Sequence, residues 1–399
     1  MEVVTLTPTH LVVGGAALAR DDSGRVVFVD GALPGETVRA ELRSAKKDFA
    51  KADVVAVIDP SPSRVEPSCE AWHRGCGGCD WQHIAPDAQL ELKAEVVYEA
   101  LTRMGRINQP HMFLGGSVDP WEYRTTVRLA VSSSGAVGFR SRRSHDVVEI
   151  SRCPVAHPAI NKMIPSLRVG GDSEVTVRVG VASGQSTAVS RRNGQIHGLP
   201  ASTAIGSEAT IHEVVGGVRF RVSAGSFFQS SPQSGDLLIE SVGRALVDLD
   251  LSTATLIDAY GGVGLFAATL GRAAARVVVV EASLSACNDA RINLADRGDS
   301  AKVFNLRMED WAPESADVVI ADPARNGLDK IGAARLAATG ATRIVLVSCD
   351  PASLARDVAL LRTLGYQHQW SEVLDLFPNT SHIEVVTVFD WNDRVFDSK

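Results

Sequence analysis

The chain lacks any run of about 18 apolar residues, the length a helix needs to cross a bilayer, so no membrane span is expected. It lacks a basic stretch leading into an apolar run at its start, MEVVTLTPTH, so no export signal is expected and the cytosol is the expected compartment. It also lacks an excess of basic residues. The net charge of −7 argues against a protein that coats nucleic acid non-specifically, while leaving room for a local basic path to phosphates. Cysteine is scarce, six in 399 residues: Cys69, Cys76, Cys79, Cys153, Cys287 and Cys349. In a reducing cytosol, closely spaced cysteines point to metal binding or catalysis before disulfides.

What is present is an ordinary globular composition, 45% hydrophobic and 22% charged, on a chain too long for one core. The sequence predicts three regions. Residues 1–58 alternate short apolar runs with Gly and Pro punctuation, which predicts a small β-barrel. Arg39, Arg43, Lys46, Lys47 and Lys51 fall on one of its hairpins, either as a solvated surface or as an RNA contact. The Pro/Ser linker PSPSRVEPSC opens a central region, 59–225. In it ELKAEVVYEALTRMG has helical spacing, and this helix, at about 90–106, is expected to pack on the catalytic region. VRLAVSSSGAVGFRSRR and EVTVRVGVASGQSTAVS each read as a hairpin. From 226 to 399 strands and helices alternate, which predicts an open, mostly parallel α/β sheet of Rossmann-like type.

TLIDAYGGVGLFAATLG is a buried strand, a glycine turn and a helix. Gly261, Gly262 and Gly264 let a ligand approach the backbone, and Glu281, ending the next strand, can accept hydrogen bonds from both hydroxyls of a ribose. The pair favours an adenosine-containing cofactor. A G-G-x-G turn in place of G-x-G-x-x-G leans toward S-adenosyl-L-methionine over a dinucleotide. Asp258, Glu281, Asp322 and Cys349 each end a predicted strand, and strand ends of this kind share one crevice.

A thiol and a carboxylate in one crevice suit methylation at C5 of a uracil. C5 is too weak a nucleophile until a thiolate adds at C6, and a base must afterwards remove the C5 proton. Cys349, ending RIVLVS before a Pro-containing turn, is the nucleophile candidate, and helix N-terminal amides are expected to favour its thiolate. Its bland alternative is a buried strand-end thiol. Glu384 in SHIEVVTVF is the base candidate, and an edge-strand charge is its alternative. Cys287 lies in a helical stretch and reads as packed.

GSFFQSSPQ, DAYGGVG, DPARNGLD, VSCDPASLARD, HIEV and GFRSRRSHDVVEISRCPV occur in the order of blocks in the TRAM-domain RNA uracil-5-methyltransferases, which the chain resembles over nearly its whole length. The resemblance implies an OB-like TRAM barrel, a central α+β domain and a class I methyltransferase domain acting on ribosomal or transfer RNA, with the ribosomal branch favoured. It implies Cys349 as nucleophile and Glu384 as base. Gln229, Tyr260, Gly262, Gly264, Glu281 and Asp322 would line the methyl-donor site, and Gln229 and Asp322 would also orient a uridine flipped out of its stack. Four departures stand out: Gly261 where many members carry Cys, Leu265 where some carry Asn, Asp350 where Asn is frequent, and Arg307 near the place of an expected acid. The charge of Asp350 is expected to raise the Cys349 pKa.

Cys69-x6-Cys76-x2-Cys79 with a distant Cys153 supplies four thiols, enough for zinc or a cubane iron–sulfur cluster. The resemblance favours [4Fe-4S] in a structural role, although the first gap is one residue longer than the family's. Arg124, Arg128, Arg140, Arg142 and Arg143 read either as an extension of an RNA path or as ordinary charged surface. Two rival functions remain open, a methyltransferase for another substrate and an RNA-binding assembly factor with a relic catalytic domain. A monomer is expected.

Overall fold

A computed structural model describes residues 2–392. The first 59 residues build a six-stranded sheet in the order Val3–Leu6, Thr37–Ala45, Phe49–Asp59, Val26–Asp30, Ala17–Arg20, His10–Leu11. Along Thr37–Ala45, Val38, Ala40 and Leu42 point inward while Arg39 and Arg43 point out, the period-two alternation of a half-buried strand.

The central region folds around a second six-stranded sheet: Val147–Glu149, Val137–Arg140, Thr126–Val131, Glu174–Val179, Ser186–Ser190, Thr203–Ile205. Both expected hairpins form, pairing Val131 with Val137 and Val179 with Ser186. Two pieces of this region leave that sheet. The hairpin Thr210–Val215/Val218–Ser223 packs on the helix Leu284–Asn293, where Ser223 N donates to Asp289 Oδ2 at 2.8 Å. Met112–Ser117 pairs in parallel with Tyr366–Asp375 and becomes an edge strand of the catalytic sheet.

That catalytic sheet has eight strands in the order Ala301–Asn305, Arg276–Glu281, Thr255–Ala259, Val318–Ala321, Arg343–Ser348, Glu384–Trp391, Tyr366–Asp375, Met112–Ser117. The first five run parallel, and Glu384–Trp391 is inserted antiparallel. Strand order reverses between Thr255–Ala259 and its neighbours, which makes the carboxyl edge there a ligand crevice. The fold is thus the expected Rossmann-like α/β domain behind an N-terminal β-barrel. Among the described residues no helix is long and apolar enough to cross a membrane.

The helix Pro86–Arg103 packs against the helix Pro351–Thr363 and the strand Tyr366–Asp375 of the catalytic region. It starts five residues before the apolar spacing that predicts it, because Pro86 at the first turn needs no N–H partner. On its inner face Lys93 is fully buried, with its Nζ 2.6 Å from Asp375 Oδ1 and 3.2 Å from the Phe377 carbonyl. Removing one partner of a buried pair strands the other charge in a low dielectric. Lys93→Met is therefore expected to cost about 3–5 kcal/mol, read from urea unfolding, and the double change Lys93→Met/Asp375→Leu to recover much of it. An unchanged unfolding midpoint in Lys93→Met would refute this account of the contact.

Candidate active site

Four parallel strands and one antiparallel strand deliver the polar groups of the crevice. Asp258, near the end of Thr255–Ala259, is fully buried, and its Oδ2 accepts from Ala267 N at 2.9 Å. Burial raises its pKa to about 8, with the charges of Asp322 and Glu281 adding to the effect. The turn that follows is left-handed at Tyr260 (φ 58°), Gly262 (φ 56°) and Gly264 (φ 85°). At Gly261 a β-carbon would lie 2.8 Å from Val279 Cγ1 and 2.9 Å from Asp258 Cγ, so any side chain there would force these neighbours to shift. The helix after the turn is shorter than the sequence suggests. Leu265–Ala268 is one turn, and a 3₁₀ turn at Leu270–Ala273 follows a break at Thr269. Leu265 is buried in the core, 7% exposed, and offers no polar contact.

Glu281 closes the glycine loop. Its Oε2 accepts from Gly262 N at 3.0 Å and its Oε1 from Ser283 N at 2.6 Å, which leaves lone pairs on both oxygens for hydroxyl donors. The Tyr260 hydroxyl lies against the start of the helix Asp329–Ala337, and burial raises its pKa, aided by Asp329 and Glu309. Glu309 was missed in the sequence. It sits two residues beyond Arg307, pairs with it at 3.2 Å, and supplies an acid where Arg307 seemed to have displaced one. The signal available was an acid just past the third parallel strand.

Gln229, buried at 7% exposure, sits in a segment fixed from both sides. Arg178 donates to the carbonyls of Ser223 and Ser226, each at 2.8 Å, Ser226 Oγ donates to Asp289 Oδ2 at 2.7 Å, and Thr125 N donates to the Ser230 carbonyl at 2.8 Å. Phe228 packs inward against Phe220, whereas Phe227 is 70% exposed.

Cys349 and Glu384 meet through strand register. Ser348, the last residue of its strand, pairs with Val385, so Cys349 leaves the strand at the edge where Glu384 opens its own, close enough for the Glu384 charge to act on the thiol. Asp322 follows the adjacent strand, and its amide donates to the Ala259 carbonyl at 3.1 Å. Burial and the Asp322 charge raise Glu384 well above the usual carboxylate range, and burial raises Asp322 to about 7. Cys349 is pushed up to about 12 by burial, then by Glu384 and Asp322, with Arg325 opposing. This corrects the expected thiolate: in the free protein the carboxylates and the low dielectric outweigh the helix N-terminus. Asp350 turns its carboxylate to its own helix. It is the N-cap of Pro351–Thr363 and accepts from Ser353 N at 2.7 Å, a task Asn performs equally well.

The other cysteine group lies in the central region. Cys69, Cys76, Cys79 and Cys153, each 8% exposed, line one cavity of ≈ 210 Å³ together with Trp72, Phe139, Ile150 and Arg124. Gly77 N donates to the Arg140 carbonyl at 2.9 Å, and Asn161 bonds both backbone groups of Cys153, so two distant segments wrap the cavity. Burial raises Cys79 to about 12, Cys153 to about 11, and Cys76 above its ordinary value. Among the described residues no three His, Cys, Asp or Glu side chains are gathered as a site for a metal ion. Cys287 is packed, as expected. The arginines divide. Arg124 and Arg142 face the thiol site, Arg128 lines its cavity, Arg140 pairs with Glu174, and Arg143 bridges to Asp30 and Asp53 of the barrel. Arg43 pairs with the same two barrel acids, while Arg39, Lys46, Lys47 and Lys51 are exposed.

A parallel sheet with this reversal, a glycine turn over a ribose-ready acid and a thiol facing a carboxylate define an S-adenosylmethionine-dependent methyltransferase. The known proteins it is similar to narrow the class. The TRAM domain family matches residues 4–55. A protein of Streptomyces avermitilis described as an uncharacterized RNA methyltransferase is 32% identical, covering 94% of this chain and 95% of its own. The 23S rRNA (uracil(1939)-C(5))-methyltransferase RlmD of Alkalilimnicola ehrlichii is 33% identical, covering 94% of each. The crystal structure of Pyrococcus abyssi tRNA (uracil-54, C5)-methyltransferase in complex with S-adenosyl-L-homocysteine shares the fold, with TM-score 0.72 over 97% of this chain and 100% of that one at 22% identity. The chain belongs to the TRAM-domain RNA uracil-5-methyltransferase family and is an RNA methyltransferase that uses S-adenosyl-L-methionine.

The elevated thiol makes a testable statement. Below its pKa the thiolate fraction of Cys349 grows about tenfold per pH unit, so alkylation by iodoacetamide should climb from about pH 7 to about pH 9 without a plateau. Asp322→Asn removes one of the raising charges and should speed alkylation at a given pH. A plateau below about pH 8, or an unchanged rate in Asp322→Asn, would contradict the electrostatic reading.

Proposed function

We propose that the protein methylates C5 of a specific uridine in structured RNA, 23S rRNA in preference to tRNA, through Cys349 and Glu384. The observation that supports this reading is the strand register that brings the thiol of Cys349 and the buried carboxylate of Glu384 to the same edge of the sheet, at the donor crevice. The Cys349 sulfur adds to uracil C6, and the C5–C6 electron pair shifts into an enolate with charge at C5. C5 then takes the methyl group of the sulfonium donor and releases S-adenosylhomocysteine. Glu384 accepts the C5 proton, the electron pair reforms the C5–C6 bond, and the sulfur leaves C6. A positive charge entering the crevice with the donor opposes the carboxylates around Cys349 and favours its thiolate. Tyr260, Gly262, Gly264 and Glu281 hold the donor, while Gln229 and Asp322 orient the flipped base.

The four thiols line one cavity and would hold a [4Fe-4S] cluster, with zinc the alternative. Either would supply the positive charge that draws protons from buried thiols. Bound there, the cluster would cross-link segments far apart in sequence. The exposed basic hairpin of the barrel supports an RNA contact, and the reading is completed by a monomer acting in the cytosol.

RNA carrying 5-fluorouridine at the target should trap wild-type protein covalently, because fluorine does not leave as a proton does. Cys349→Ala should give no adduct, and Glu384→Gln should accumulate methylated adduct on ordinary RNA with at least about 10²-fold lower turnover. A wild type that forms no adduct with any cellular RNA, and behaves like Cys349→Ala, would end the proposal in favour of a relic domain. Anaerobically purified protein should contain iron and acid-labile sulfide, both lost in Cys79→Ser.

A further inference from the structure

The loop that leads into Glu384 is held by the cysteine-bearing region. Beyond Tyr366–Asp375 the chain passes through Phe377, Asn379 and Ser381 before Glu384 opens the next strand. Asp80 and Trp81 directly follow Cys79. Asp80 Oδ1 accepts from Ser381 N at 2.8 Å, and Trp81 N donates to the Asn379 carbonyl at 3.0 Å. Asn379 Nδ2 donates to the Pro120 carbonyl at 2.7 Å, and Asn379 is left-handed at φ 66°, a conformation its neighbours must enforce.

A second link starts inside the cavity. The Arg124 guanidinium lines the thiol site and has no carboxylate partner among the described residues. Its Nε bonds the Tyr123 hydroxyl at 3.2 Å, and it stands 5.8 Å from the centre of the Phe377 ring. Phe377 meets His382 edge to face at 5.9 Å, and Arg325 of the DPARNG segment donates to His382 Nε2 at 3.1 Å. A partly buried cation without an acid needs an anion, and a cluster held by four thiolates is one.

We propose that the four-thiol site positions the catalytic base: its occupant fixes the Cys79–Asp80–Trp81 segment and Arg124, and these hold the Phe377–His382 loop so that Glu384 meets the C5 proton. Asp80 and Arg124 are positioning residues in this scheme. The cluster part of it rests on the iron–sulfur reading above, whereas the loop contacts do not.

The test separates base positioning from RNA grip. Asp80 is exposed, so Asp80→Ala should fold with wild-type iron and sulfide content. It should form the 5-fluorouridine adduct at the wild-type rate, since that adduct requires no proton removal. On ordinary RNA its kcat should fall about tenfold, the usual effect of losing a supporting contact, with KM unchanged and methylated covalent adduct accumulating. Arg124→Met should show the same split and lose its cluster about tenfold faster in air. Hydrogen exchange across 376–383 should rise in both variants and in wild type stripped by chelator. Unchanged kcat in both variants, or a change confined to KM, would overturn the proposal. Absence of iron and sulfide from anaerobic wild type would instead sink the cluster reading, and the Asp80→Ala split would still decide whether this segment positions the base.

Discussion

The shape of this crevice depends on the register between two antiparallel strands, Arg343–Ser348 and Glu384–Trp391, which brings Cys349 and Glu384 to one edge of the sheet. A slip of one residue would turn Glu384 to the opposite face of the sheet. Hydrophobic alternation cannot fix that register, because Val385 through Phe389 are all buried and the strand is covered on both faces. Polar pins fix it instead. Arg343 Nε meets Asp390 Oδ1 at 2.7 Å at the far end, and Ser371 and Thr387 share a hydrogen bond of 3.0 Å one strand over. Arg343 also reaches the Ala245 carbonyl at 2.8 Å, so the pin is anchored to the helix beneath.

Low dielectric is the second constraint, and it acts on every acid at this edge of the sheet. Burial raises Asp258, Asp322 and Glu384; the Asp322 charge adds to the shifts of Asp258 and Glu384, and Asp322 and Glu384 add to that of the thiol. Low dielectric at this edge favours the neutral forms of these acids, and a cation entering the crevice acts against that bias. The same penalty is met differently at Asp375, where the buried Lys93 supplies the compensating charge. One buried carboxylate thus anchors a helix while its neighbours stay uncompensated at the crevice, a division that separates structural acids from reactive ones.

Much of this was legible in the sequence because the relevant signals are local. A strand ending in an acid or thiol, a glycine turn and a period-two barrel hairpin each announce themselves within ten residues. What was not legible is non-local. MFLGGS carries no strong strand signal, yet Met112–Ser117 joins the catalytic sheet because Gly115 and Gly116 leave space for Leu374 and Leu237. The upward direction of the Cys349 shift comes first from burial and then from Glu384 and Asp322, and how deeply a strand-end thiol is buried is set by packing that no short stretch of sequence shows. That the Asp350 side chain caps its own helix was likewise not legible, because only coordinates show where a short polar side chain turns. Glu309 escaped notice because Arg307 drew attention to a substitution rather than to the acid two residues on.

The architecture also explains why the cysteine region lies between the barrel and the catalytic domain. Arg143, on the hairpin that wraps the thiols, reaches Asp30 and Asp53 of the barrel, while Asp80, Trp81 and Tyr123 of the same region bond the loop before Glu384. A surface ion pair such as Arg143–Asp30 is worth little alone, but two acids shared by Arg43 and Arg143 make a network with one geometry. In the proposed function the exposed lysines of the barrel would meet phosphates, and the target base would have to arrive at the edge of the sheet that carries Cys349 and Glu384. A rigid intermediate piece converts contact at one end into alignment at the other, and four thiols around a single occupant are a compact way to make a loop-rich segment rigid.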